Sequence, residues 1–351
     1  MPAPSLNPSL TSSGQPRRPS ALQRLARVAV TVTLATLATL AACSTTRPSV
    51  APTIDQDPSL PRLEADGRRF HGELLGPADA PLLVVLHGGP GADYRYLLGL
   101  GALADRYRVL FYDQTGSGLS PREPAAALSV ERFVADLHAL VRQHSPQRPV
   151  HLLGHSWGAM LATAYAGTHP DRVDRLVLAE PGFLDAATLE DLPIGGWPGW
   201  RVVAGFSAAW VAQWAVATDG DADARADWFL GAVFPLTMGE TTHCPGRPTP
   251  MALWRAGSPA YDATLGRLRD DPAWARQLDF ARGIERFAGR VLFLRGACNR
   301  AQGEAHQRRM MARFSPANQA RLATVADAGH FMFNEQPDAS LRLVREFLAE
   351  P

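Results

Sequence analysis

The sequence predicts an α/β fold, a mostly parallel central sheet with helices on both faces, and three observations predict it. Short, wholly apolar runs such as Pro81 to Leu86 and Val291 to Leu294 have the length and composition of strands buried on both sides. Between such runs lie segments of helical period, as in Ser129 to Ser145, where Phe133, Leu137, Leu140 and Val141 fall on one face. The pentapeptide GHSWG, Gly154 to Gly158, follows the apolar run Val150, Leu152, Leu153 and precedes a helix-like segment, Ala159 to Thr168. That is strand, sharp turn, helix, the alternation from which parallel sheets are built. A serine on such a turn is held in a strained conformation with its hydroxyl exposed, so Ser156 is the candidate nucleophile.

The chain of 351 residues, 46% of them hydrophobic, can bury one large core or two smaller ones. Its formal charge of +1 includes Arg17, Arg18, Arg24 and Arg27, so the remainder stands near −3 (1 − 4). There is no lysine and no basic stripe, which excludes nucleic acid as a partner. No spacing suits a zinc site or a phosphate loop, so neither metal nor cofactor is implied.

The leader arginines are followed by an apolar run, Val28 to Ala42, short for a membrane span and suited to a signal-peptide core. It ends in LAAC, Leu40 to Cys43, which resembles the lipobox of bacterial lipoproteins. That resemblance implies cleavage before Cys43 and lipid on its sulfur, with export to the periplasmic or outer face of a membrane. Ser44 in place of an aspartate implies the outer membrane where the cell has one. Residues 43–60, rich in Ser, Thr and Pro without periodicity, read as a flexible tether.

The folded texture then begins, and its segments can be taken in order. Arg69 to Leu75 is a hairpin strand turned at Asp66 and Gly67, and Pro81 to Leu86 runs into HGGPG: His87, Gly88, Gly89, Pro90, Gly91. Glycines there let backbone approach a substrate. The strand Arg108 to Tyr112 leads into DQTGSGLS, Asp113 to Ser120. HGGPG, DQTGSGLS and GHSWG in this order resemble the α/β-hydrolase superfamily, in particular its proline iminopeptidase branch, over roughly Leu63 to Pro351. The resemblance implies an α/β-hydrolase fold with an inserted helical cap, and an oxyanion hole from the Gly89 and Trp157 amides. On this reading residues 1–42 are signal peptide, 61–180 and 288–351 the core, and 181–287 the cap.

Serine chemistry needs a base, and of the ten histidines His330 is the best placed, between the strand Arg321 to Val325 and a helix with Leu341, Val344, Phe347 and Leu348. His87, His151 and His155 suit packing or loop hydrogen bonds. The triad carboxylate departs from the family pattern, because Asn299 stands where an aspartate is expected after Val291 to Leu294. Glu180, ending the strand Val173 to Ala179, occupies the position that holds the acid in haloalkane dehalogenases; Glu304 is another alternative.

Residues 181–287 hold seven of the eight tryptophans, most of them expected to pack cap helices together and a few to line an apolar pocket. The amine-binding WxxWE-like motif of proline iminopeptidases is missing. Asp191, Asp219, Asp221, Asp223, Asp227 and Glu240 are candidates for that role, though DGDADARAD reads as a solvated loop. Cys244 and Cys298 either pair, in an oxidising compartment, or stand as two buried thiols. The expectation is a serine hydrolase with an acyl-enzyme intermediate, first a proline iminopeptidase-like aminopeptidase or amidase on small peptides. The alternative is an esterase or lactonase on small apolar acyl compounds. Intact Ser156, His330 and HGGPG argue against a non-catalytic surface lipoprotein, and a serine at position 156 argues against dehalogenase or epoxide hydrolase chemistry.

Overall fold

A computed structural model describes residues 47–192, 199–238, 241–247 and 251–350. Eight strands form one sheet: β1 (Arg62–Ala65), β2 (Arg68–Leu75), β3 (Leu82–Leu86), β4 (Arg108–Tyr112), β5 (Val150–His155), β6 (Val173–Ala179), β7 (Arg290–Gly296) and β8 (Arg321–Val325). Their order is β1-β2-β4-β3-β5-β6-β7-β8. The β1–β2 and β2–β4 pairs are antiparallel and the other pairings parallel.

Period-two alternation sends neighbouring residues to opposite faces, and both faces are apolar. Leu82, Val84, Leu86, Leu152, Leu176, Leu178, Val291 and Phe293 join one core, whereas Leu83, Val85, Leu153, Val177, Leu292 and Leu294 join the other. The first core is closed by α1 (Val130–His144) and α2 (Trp157–Thr168). Ser129 caps α1, its hydroxyl accepting from the Arg132 amide at 3.2 Å. Across the sheet lie Tyr94–Asp105 and α5 (Pro337–Leu348), whose Val344, Phe347 and Leu348 are buried.

Between β6 and β7 the described residues add no strand to the sheet. They form α3 (Trp200–Ala212), α4 (Ala224–Thr237) and shorter helical turns. Three expectations for this part of the molecule change. The tether is ordered from Pro48: Ile54 is 1% exposed and its amide donates to the Leu119 carbonyl at 2.9 Å. The Pro48 carbonyl accepts from Ala217 N at 2.9 Å, Arg255 Nη1 donates to the Ala51 carbonyl at 3.0 Å, and Gln56 Nε2 donates to Asp221 at 3.0 Å. An irregular strap of this kind is held by hydrogen bonds to other segments, so it carries no periodic signal. Nor is the aspartate-rich stretch all solvated, because Asp227 is buried between the Arg122 and Arg255 guanidiniums, Nε to carboxylate 2.9 and 2.7 Å. Two arginines and Ser258 supply the donors a buried carboxylate needs. Finally, Trp200, Trp210 and Trp214 are 78%, 58% and 61% exposed, so these rings do not pack the helices together. Trp197, Glu240, Cys43 and the leader lie outside the described residues.

Cys244 and Cys298 form a disulfide with Cα atoms 4.8 Å apart, joining the insert to the loop after β7. Among the described residues no helix is long and apolar enough to cross a membrane. Because the bridge closes a loop of 54 residues, Cys244→Ser is expected to cost about 4 kcal/mol on chain entropy. Urea unfolding with and without a reductant measures this; an unchanged midpoint would show the bridge to be unimportant to stability.

Candidate active site

Ser156 stands between β5 and α2 with φ 55° and ψ −119°, a left-handed conformation rare for a residue with a side chain. Two glycines permit the turn. A Cβ on Gly154 would run into the Gly158 carbonyl, and one on Gly158 into the Leu86 carbonyl, so helix, strand and neighbouring strand touch through bare backbone. Trp157 is the first residue of α2, where amides have no acceptor within the helix.

His330 lies just after β8, and its Nδ1 is 2.7 Å from Glu180 Oε2. Once ionised, the carboxylate can only accept, so Nδ1 then carries the proton and Nε2 is left with its lone pair. Glu180 is fully buried directly after β6 and also accepts from Gly296 N at 2.7 Å and Asn299 Nδ2 at 2.6 Å. Burial raises its carboxyl to about 7, against the pull of the Gly296 and Asn299 donors. Burial, and next the charge of His243, lowers the His330 imidazole to about 4, so it is neutral and able to take a proton at neutral pH. Asn299, at the position where an aspartate was expected, thus holds the carboxylate rather than the imidazole. Glu304 pairs instead with Arg295 and Arg308.

The three glycine-rich motifs are joined by two buried residues, Tyr96, which the sequence did not single out, and Gln114 of DQTGSGLS. Tyr96 Oη accepts from Gly88 N at 2.7 Å and donates to His155 Nδ1 at 2.8 Å, while His155 Nε2 donates to the His330 carbonyl at 2.7 Å. Gln114 accepts from Trp157 Nε1 at 2.8 Å and donates to the His87 carbonyl at 3.0 Å; its amide donates to His87 Nε2 at 3.0 Å. His87 and His155 are therefore loop fasteners, as expected, and burial lowers His155 to about 3. With the Gly88 amide engaged by Tyr96, Gly89 at φ 120° supplies the next amide of HGGPG. Gly88 itself has no room for a Cβ, which would stand 3.0 Å from Ser156 Cβ.

Ser156, His330, Gly88, Gly89, Tyr96 and His155 border one cavity of about 20 Å³, closed from the insert by Phe234, Met238 and Met251. That is room for about one water molecule. Met251 also borders a larger pocket of about 470 Å³ lined by Trp228, Pro235, Leu253, Trp254 and the strap residues Ser49 and Val50. Among the described residues no cluster of His, Cys, Asp and Glu could hold a metal ion.

A parallel sheet with a glycine-flanked serine after its fifth strand and a histidine after its eighth defines a hydrolase class. The family model for the α/β hydrolase fold matches residues 81–337, and the chain belongs to that family. A proline iminopeptidase of Heyndrickxia coagulans is 46% identical over 100 residues, 28% of this chain and 34% of its own length. The chain thus spans about a third of such relatives' length. A cis-3-alkyl-4-alkyloxetan-2-one decarboxylase of Xanthomonas campestris pv. campestris is 25% identical over 292 residues, 78% of this chain and 90% of its own. The esterase structure from Exiguobacterium antarcticum superposes with a TM-score of 0.58 at 20% identity, covering 83% of this chain and 100% of that one, a likeness of fold.

Two measurements follow from the geometry. Glycine adopts positive φ freely, so Ser156→Gly is expected to unfold at higher denaturant than Ser156→Ala, by about 1 kcal/mol. Equal midpoints would mean that the turn is unstrained. His155, neutral when folded at about 3 and ordinary at 6.5 when unfolded, contributes stability that is full above pH 6.5 and lost as pH falls toward 3. Wild type should lose about 2 kcal/mol from this group between pH 7.5 and 5, and His155→Gln should show a correspondingly flatter pH dependence.

Proposed function

We propose that the protein is a serine acyl hydrolase for apolar esters or lactones, with Ser156 as nucleophile, His330 as base and Glu180 as the acid that orients and stabilises the imidazolium. The observation that carries the substrate class is the wall of the Ser156 cavity. Its described residues are glycine, alanine, aromatic, methionine and histidine side chains, with no carboxylate to hold the free amine of a peptide. Asp227 borders the larger pocket but is fully occupied by Arg122, Arg255 and Ser258. The described walls of these two pockets thus offer no unpaired carboxylate to a peptide amine. The relative matched over 90% of its length is named as a decarboxylase of a dialkylated four-membered lactone, an apolar cyclic ester, which supports the ligand class rather than the reaction.

In the reaction, His330 Nε2 takes the Ser156 proton as Oγ attacks the acyl carbon. Negative charge then moves to the carbonyl oxygen, where the Gly89 and Trp157 amides are the donors, each worth about 3 to 4 kcal/mol in comparable sites. The protonated imidazole passes its proton to the leaving oxygen, and water repeats the sequence on the acyl-enzyme. Export as a lipoprotein modified on Cys43 is part of the same proposal, supported by the disulfide, a bond of oxidising compartments.

Initial rates on p-nitrophenyl butyrate and on an L-prolyl arylamide, with Ser156→Ala as control, test the substrate class. Ester turnover that disappears in the control is expected; arylamide turnover alone would restore the peptidase reading. Glu180→Gln should lower kcat by roughly three to four orders of magnitude while leaving KM within a few-fold. Near-normal kcat in that variant would remove Glu180 from the mechanism.

A further inference from the structure

Helix α3 turns its apolar residues outward. Trp200, Val203, Ala204, Ser207, Ala208, Trp210 and Val211 are exposed and recur at helical spacing, and Trp214 extends the face into the next turn. Against the protein α3 needs only its other side, where Ala209 is buried and Phe206 meets Phe229 edge-on at 6.2 Å. Arginines stand beside this face: Arg201 on the helix, and Arg225, whose guanidinium lies 5.3 Å over the Trp214 ring. Exposed tryptophans flanked by arginines suit an interface in which apolar rings meet acyl chains and cations meet anionic headgroups.

The strap says what covers this face. The Pro48 carbonyl accepts from the Ala217 amide, three residues beyond Trp214, so the chain leaves the described domain beside the tryptophans. Cys43 precedes Pro48 by five residues, a reach of at most about 18 Å. A domain of this length has an expected radius of gyration of about 19 Å, so lipid on Cys43 could not leave the domain free to present any face to the bilayer. Resting on the proposed acylation of Cys43, we propose that the outer face of α3 and Trp214 docks on the surface of the bilayer that holds the anchor. The 470 Å³ pocket, bordered by Ser49 and Val50 of the strap, then lies close to the same surface, where an apolar ester would be concentrated.

The test uses the full chain, expressed with its leader and purified from cell membranes, in vesicles of phosphatidylethanolamine and phosphatidylglycerol with brominated acyl chains. Mass spectrometry of the N-terminal peptide reports the state of Cys43 separately. Three of the eight tryptophans are on this face, so brominated lipid should remove about a third of the emission. Trp210→Ser/Trp214→Ser should abolish most of that loss without lowering the melting temperature. An acylated chain whose emission is not quenched overturns the docking and leaves the anchor standing. Unmodified Cys43 sinks the anchor; quenching that persists still supports the docking face, and its absence overturns both. Unquenched emission with a dimer that the double variant cannot form assigns the face to a second copy and overturns the proposal.

Discussion

The Glu180 carboxylate ties together the ends of three adjacent strands. It follows β6, accepts hydrogen bonds from Gly296 N at the end of β7 and from Asn299 Nδ2 in the loop after it, and holds His330 after β8. A buried charge is stable only with its donors in place, and each of these donors would in turn be left unpaired without it, at about 1–3 kcal/mol apiece. Glu180 itself adopts φ 46°, like Ser156 a side-chain-bearing residue in left-handed backbone directly after a strand. The His330 position is thus fixed from two directions, by Glu180 at its ring and by His155 at its carbonyl.

What the sequence made legible was local. The strands are apolar runs, Ser156 is set in a pentapeptide whose glycines are sterically required, and His330 is placed by the strand and helix that flank it. The acid was harder, because an aspartate and an asparagine occupy similar space at the end of β7. The sequence named Glu180, one strand over, as a candidate; the fold sets its carboxylate against His330 and shows Asn299 holding it in place. Tyr96, His155 and Gln114 bridge segments far apart in the chain, and no pattern within either segment announces such a bridge. The same is true of Asp227, whose arginines lie 105 residues before it and 28 after it. A run of aspartates gives no sign of a distant guanidinium.

The helical insert is joined to the core at several separate places. Asp93 accepts from the Trp254 and Arg255 amides, at 2.5 and 3.1 Å, and burial together with nearby Asp113 raises its carboxyl well above the usual range. Asp227 fastens Arg122 of the core to Arg255 and Ser258. The strap adds a third tie through Ile54 and Gln56, and the disulfide a fourth. Met251 borders both the larger pocket and the Ser156 cavity, and Phe234 and Met238 border the cavity beside it. Methionine's unbranched chain rearranges at low cost, which makes these residues a natural passage between the two spaces.

The cavity beside Ser156 has room for about one water molecule. In the proposed reaction the second nucleophile reaches the acyl-enzyme through that space, in exchange with the solvent outside. A small alcohol of similar size then competes with water in proportion to its own concentration and to how well the cavity walls hold it. The partition between hydrolysis and transesterification thus depends on the alcohol supply as well as on the cavity's shape and polarity.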